Sequence, residues 1–326
     1  MHPAGSIIVF TTLSGLGFGF IALLGLGALA PGGGAVFWAS ALAVALAAAG
    51  LFASLRHLGH PERAWRALSQ WRTSWLSREG LLAVATLATF AAFTAGRVIL
   101  DTAIWPLGWL AALLSTAAVY ATAMVYASLR TVATWNRNLT PVCYLAFSAA
   151  GGMLLLAAFA RGFDQPGVGK EALALVLLLT AWGLKLVWWQ GSATCGFGGS
   201  TPETATGLGF IGRVRLFEAP HTSPNYLIRE MVCTIGRRHA RKLRLIALAA
   251  GAALPIAAVT LSLALGGSAA VLDLGALAYT AGLLAERWLF FAEARHAVGL
   301  YYGQGEAPGA PTRDSGALAS DQPFRR

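Results

Sequence analysis

The chain has 326 residues, 56% of them hydrophobic and only 12% charged, with a formal net charge of +10. A soluble domain carries about a quarter of its residues as charges, so this chain cannot coat a water-soluble body and its apolar excess must face lipid. Three Cys exclude a disulfide-stapled secreted domain, the apolar content excludes disorder, and the basic charge lies in loops between apolar runs rather than on a nucleic-acid-binding face.

A membrane-crossing helix needs about 20 mostly apolar residues. Eight runs qualify: 6–30, 34–55, 79–99, 104–128, 141–160, 171–190, 244–266 and 269–292. Barrel strands would alternate apolar and polar residues. These runs are continuous, which predicts an all-α polytopic transmembrane bundle of about eight spans. Residues 1–300 form one integral membrane domain, and residues 301–326 read as a disordered tail.

The first run lacks a basic leader and a small-residue cleavage site, so it reads as a retained helix. Its Gly15 and Gly19 form a small-xxx-small pair suited to close helix packing. The connection after the second span carries Arg56, Arg63, Arg66, Arg72 and Arg78. Within it, residues 61–76 set Trp65, Leu68, Trp75 and Leu76 against arginines, as in a helix lying in the membrane interface. Arg130 and Arg137 follow the fourth span, and the long 191–243 segment after the sixth is strongly basic. The connections after spans one, three and seven carry no Lys or Arg, and that after span five carries Arg161 and Lys170. The heavily basic loops fall on one side. The positive-inside rule places that side, and both termini, in the cytoplasm of a bacterial inner-membrane protein.

The chemistry-bearing residues are few. Without a Cys-x-x-Cys pair, this chain is expected to hold no iron–sulfur cluster. The six His (2, 57, 60, 221, 239 and 296) lie at span ends or in loops, so no haem and no other metal is expected. His57 and His60 follow Arg56 at the end of span two, and Glu79 opens span three. Glu286 and Arg287 lie inside span eight, where Glu286 is expected to pair structurally. No charged pair is expected in the middle of a span. An ionisable residue within a span is a functional candidate. The structural alternative for Arg56, Arg78 and Arg130 is a positive-inside anchor. His titrates near neutrality, and a partly desolvated carboxyl is pushed up toward it. A His and a carboxyl at a membrane boundary therefore suit proton movement, whether at a quinone or in a transporter.

Several stretches together resemble one family. His57-Leu58-Gly59 is followed by Leu76-Ser77-Arg78-Glu79. Then come Val125-Tyr126-Ala127-Ser128-Leu129, Thr131-Val132-Ala133-Thr134-Trp135, Thr140-Pro141 and a last-span pattern around Gly282, Arg287 and Phe290. With His2-Pro3-Ala4 and Phe10–Gly15, this order resembles the membrane-anchor subunits of dimethyl sulfoxide reductases (DmsC-like), including the similar anchors of sulfite-oxidising molybdoenzyme complexes. The resemblance covers residues 1–300. It implies a cofactor-free anchor for an iron–sulfur electron-transfer subunit and a molybdopterin catalytic subunit, exchanging electrons with membrane quinone (menaquinone or ubiquinone). It also implies that His57 and Glu79 bind and react with quinol, with Arg287 a last-span residue of secondary role. Tyr126, His60 and Arg130 join them as quinone-contact candidates. Electron flow into the quinone pool, as in sulfite oxidation, is the alternative direction. A proton-coupled transporter and a purely structural anchor are the competing classes. Against the transporter stands the absence of an internal repeat.

Overall fold

The computed structural model describes residues 4–29, 33–56, 58–165, 167–217, 234–266 and 268–302, with 33 and 234–238 described by their backbone. Among the described residues, eight helices are long and apolar enough to cross a membrane. They are α1 (Gly5–Gly25), α2 (Gly34–Leu55), α3 (Trp75–Ile99), α4 (Trp105–Ala127), α5 (Leu139–Gly162), α6 (Val168–Thr194), α7 (His239–Leu265) and α8 (Ala269–Ala292). Among the described residues there is no strand, only one isolated bridge between Val132 and His296. The all-α polytopic bundle is therefore the fold.

Two boundaries differ from the apolar runs in a way that matters. The Ser74 hydroxyl accepts the Ser77 N–H and caps α3, so the helix begins at Trp75. Glu79 thus sits one turn inside α3 rather than at its opening. α6 continues past the apolar run to Thr194, where the Ser192 hydroxyl donates to the Trp188 carbonyl at 2.8 Å and Arg137 reaches the same carbonyl at 3.1 Å. The segment 61–70 is a run of 3-10 turns with exposed Trp65 and, just after it, exposed Trp71. Arg66 and Arg72 lie over these two rings at 5.5 and 5.4 Å. Runs of 3-10 geometry this long are uncommon. Here Pro61 opens the run and the Ser77 hydroxyl ties the Ala67 carbonyl to α3. The long connection after α6 contains a five-residue helix, Pro202–Thr206, closed by a Thr201–Thr204 capping box. Residues 218–233 of that connection, and the expected tail beyond Tyr302, lie outside the described residues.

α1 and α5 are central. α1 packs on α2, α4, α5 and α8, and carries no charge, so it is apolar all round. Two of its hydroxyls are spent on its own backbone: Thr11 donates to the Ile7 carbonyl at 3.0 Å and Ser14 to that of Phe10 at 2.6 Å, while the buried Thr12 hydroxyl has no hydrogen-bond partner among the described residues. Lipid gives helices little hydrophobic reason to associate, so close backbone approach carries the packing. Glycines meet glycines at three crossings: Gly19 with Gly152, Gly25 with Gly108, and Gly251 with Gly282. The expected Gly15–Gly19 pair is thereby corrected. A Cβ at Gly15 would meet nothing, and Gly15 serves instead through its carbonyl, which accepts from the Ser148 hydroxyl at 2.6 Å.

α7 contains a π turn at Ala249–Ala253, followed by Pro255. Proline has no N–H and crowds the carbonyl four residues before it. That carbonyl belongs to Gly251, and the indole of Trp182 on α6 donates to it at 2.7 Å. The group freed by the proline thus finds its partner on a neighbouring helix, as a buried backbone group in lipid must.

Candidate functional site

One end of the bundle gathers Glu79, Lys185, Glu286 and Arg287, while Arg161 and the buried Glu171 pair at the other. The end that holds Glu79 is formed by the starts of α3, α5 and α7 and the ends of α4, α6 and α8. The 128–138 loop folds over it. Trp135 donates its indole N–H to the Phe290 carbonyl at 2.8 Å, and Thr140 donates to the Trp135 carbonyl at 2.8 Å. The Ala297 N–H reaches the Thr131 carbonyl at 2.8 Å, tying the segment after α8 to the same loop. Beneath lies an aromatic layer. Trp135 stacks on Phe290 with centroids 5.3 Å apart, while Tyr126 stacks near Tyr144 at 6.0 Å. Tyr126 also meets Phe290 and Phe291 edge-on. Tyr126, Trp135 and Phe290 come from three separate family-like stretches, and the fold brings them into one contact.

Glu79 is buried, and the Thr122 hydroxyl of α4 donates to its Oε1 at 2.6 Å. Thr122 stands one turn before Tyr126 on α4, so the pair lies next to the aromatic layer. Arg287 covers the Tyr144 ring at 3.7 Å. Tyr126 and Arg287 therefore meet on Tyr144, which α5 supplies.

A second group lies behind them. Lys185 of α6 pairs with Glu286 Oε1, and Arg287 Nη1 stands 3.4 Å from Glu286 Oε2. Lys185 also sits over the Trp188 ring at 3.7 Å. All three charges are buried, Glu286 completely. The structural pairing expected for Glu286 is present. Lys185 and Glu286 form a charged pair between α6 and α8 that lies toward this end of the spans, a pairing across helices that the sequence reading did not include.

His57 lies outside the described residues. His60 does not join the buried group: it is exposed and its Nδ1 is 3.0 Å from Glu62 Oε1. Arg130 is likewise exposed, in the loop after α4. Arg56 lies over the Phe52 ring at 5.1 Å, and Arg78 donates to the Trp71 carbonyl at 2.9 Å, as anchoring residues do. Thr122, Tyr144 and Lys185 were not legible as site residues. Two surface clefts flank this end, each of ≈ 390 Å³. One lies between α1 and α2 against Phe52 and Arg56, directly before His57. The other lies between α4 and α5 against Tyr120, Asn136 and Arg137.

Outside the spans, burial pushes the Glu293 carboxyl up against the opposing pull of Arg244, 2.7 Å away. Burial holds His296 below its ordinary value, and its Nδ1 accepts the Val298 N–H at 3.0 Å.

Residues 1–194 match the family described as DMSO reductase anchor subunit (DmsC). The chain belongs to this anchor-subunit family. It is also similar to a sulfite dehydrogenase subunit of Allochromatium vinosum, 34% identical over 327 residues that span 93% of this chain and 99% of the relative. No solved structure matches the chain. Family membership makes the anchor a multi-pass membrane subunit that works with catalytic and electron-transfer partners. The convergence of Tyr126, Trp135, Phe290 and Arg287 gives the family-like stretches a physical reason: they meet in one buried aromatic cluster, with a cation beside it, at one helix end.

Proposed function

We propose that this anchor binds a membrane quinone and passes electrons between it and an iron–sulfur subunit of a molybdopterin oxidoreductase, in the direction of sulfite oxidation. The likeness to a sulfite dehydrogenase subunit supports the direction. In that direction, sulfite and water give sulfate, two protons and two electrons in the soluble subunits. Quinone, when bound, takes up two electrons and two protons. The site chemistry fits such a head group. Glu79 and Thr122 offer a carboxyl and a hydroxyl inside the bundle, and the Tyr144 hydroxyl is buried without a partner.

The single observation that carries the reading is the buried Glu79–Thr122 pair at the helix end that also holds Tyr126, Tyr144 and Arg287. Electrons must leave toward a soluble partner and protons must reach water, so both exits belong at one interface. Glu79 holds and transfers a proton, with Thr122 fixing its carboxyl. His57, which follows Arg56 in the sequence, bonds one quinone oxygen in this reading. Tyr126 is the floor of the site. The loops at 57–78, 129–140 and 191–243, with both termini, face the cytoplasm because the Arg and Lys clusters are there.

The buried Lys185–Glu286 pair bears on the transporter reading. Substrate sites of such carriers lie near the bilayer midplane. Glu286 is six residues before the end of α8, about 9 Å along a helix. It belongs with Glu79 at the boundary, which favours the anchor.

The test is copurification through a tag on this chain, followed by metal analysis and assay of sulfite-dependent reduction of a short-chain quinone. Molybdenum and iron in the complex together with quinone reduction are expected. A chain that purifies without either metal, or a metal-loaded complex that reduces dye but no quinone, refutes the reading.

A further inference from the structure

The buried charges at the shared helix end do not balance around Arg287. Arg244 is matched by Glu293, and Lys185 by Glu286. Arg287 reaches only the second oxygen of that same Glu286, at 3.4 Å. One carboxylate thus serves two cations, and the triad keeps one net positive charge. Beside it, Arg287 Nε and the Tyr144 hydroxyl are both buried without a hydrogen-bond partner. The two residues are only 2% and 4% exposed. The remaining buried carboxyl at this end is Glu79, which accepts from the Thr122 hydroxyl and makes no ion pair among the described residues. An uncompensated charge and unmade buried hydrogen bonds are both costly in a membrane interior. A negatively charged acceptor oxygen relieves both at once.

We propose that Arg287 and Tyr144 form a subsite for the oxyanion side of the quinone head group, and that Lys185 is a positioning residue which occupies Glu286 and leaves the Arg287 charge available. This rests on the quinone reading above and divides its labour. Glu79 manages protons. Arg287 and Tyr144 stabilise the negative charge that develops on an oxygen as electrons arrive, which fixed donors do best in a water-poor site.

The test uses two variants that break the same ion pair but move the charge in opposite senses. Lys185→Met removes one positive charge, and Glu286→Gln removes one negative charge. The readout is equilibrium binding to the purified complex of two probes: a hydroxynaphthoquinone, ionised at neutral pH, and an uncharged naphthoquinone of the same size. A unit charge roughly 10 Å away at an effective dielectric of about 20 changes affinity for an anion by about 10-fold. Lys185→Met is expected to weaken the ionised probe by about that factor and Glu286→Gln to tighten it, while the uncharged probe shifts by less than about 3-fold. A structural role for the pair predicts that both variants move both probes in the same direction, and that result overturns the proposal. If either variant fails to assemble, Tyr144→Phe decides. It keeps the ring and removes only the hydroxyl, and unchanged binding of the ionised probe overturns the proposal. A wild-type complex that binds neither probe refutes the quinone reading itself. A wild-type complex that binds both, with variants that behave alike, refutes only the oxyanion subsite.

Discussion

Replacing Glu79 by Gln separates the proton from the shape. The Gln side-chain carbonyl can accept the same Thr122 bond that Glu79 accepts at 2.6 Å. A hydrogen bond to a charged group contributes about 1.5–3 kcal/mol and a neutral one about 1. The exchange therefore forfeits about 1 kcal/mol of bonding. Relief of burying a carboxylate offsets a similar amount. Assembly and thermal stability should change by no more than about 1 kcal/mol. Turnover should behave differently, because a positioned proton donor or acceptor is worth about 10²–10⁴-fold. The assay compares two rates in the same membranes: sulfite-dependent quinone reduction, and sulfite-dependent reduction of a soluble dye that draws electrons from the soluble subunits. The first should fall by at least about 100-fold and the second should stay at its wild-type level. Thr122→Val is the companion variant. It leaves the carboxyl without its donor, which costs about 1–3 kcal/mol, but keeps the proton-carrying group. Quinone-linked turnover within about 3-fold of wild type in Glu79→Gln would show that Glu79 is a structural residue of α3 and that proton transfer runs elsewhere.

Gly152→Ala should destabilise the anchor by about 3 kcal/mol, because its Cβ would lie 2.6 Å from the Gly19 carbonyl oxygen and 2.7 Å from the Phe20 nitrogen, backbone atoms of α1 that cannot yield. Gly183→Ala meets nothing within 4 Å and should be neutral or stabilising; thermal unfolding in detergent compares the two. His296 is held below its ordinary value by burial, so the neutral ring stabilises the fold. That contribution is present above its unfolded value of about 6.5 and is lost as pH falls through the lower folded value. Protonation at Nδ1 also removes the acceptor for Val298. Amide exchange of 296–302, corrected for intrinsic rates, should therefore accelerate as pH drops below about 6.5; protection that stays constant down to pH ~5 contradicts this. Deleting 196–209 removes the Pro202–Thr206 helix, whose Ala205 carbonyl accepts from Tyr301 at 2.6 Å. The soluble subunits should then leave the membrane fraction, and an active, fully membrane-bound complex after the deletion would exclude this loop as their dock.

The spans were legible because each is a continuous apolar run, and lipid permits only helices there. The boundaries shifted where polar local chemistry took over: the Ser74 cap lengthened α3, and at the end of α6 Ser192 and Arg137 bond the Trp188 carbonyl. The convergence of Tyr126 and Arg287 on one place was legible only through the family-like order of motifs. His60 was misleading because sequence proximity to His57 says nothing about burial. A two-residue reach to Glu62 was enough to hold it in solvent.

Lys185 shows why the rest was hidden. In Trp182-Gly183-Leu184-Lys185-Leu186-Val187-Trp188-Trp189 it reads as a lone cation near a span end, able to extend its stem toward water. Its actual setting depends on α8, which presents Glu286 at the same depth, and on Trp188, whose ring lies under the ammonium. The adjacent Glu286 and Arg287 did carry a signal. Neighbouring residues on a helix point about 100° apart, so the adjacent Glu286 and Arg287 meet only at 3.4 Å, through one carboxylate oxygen. One of them must look for a partner on another helix. In this fold Glu286 finds Lys185, and Arg287 turns to the Tyr144 face with its charge only partly used. A buried acid–base dipeptide in a transmembrane helix is thus a sign of a third charge nearby, and the third charge determines which of the two remains available for chemistry.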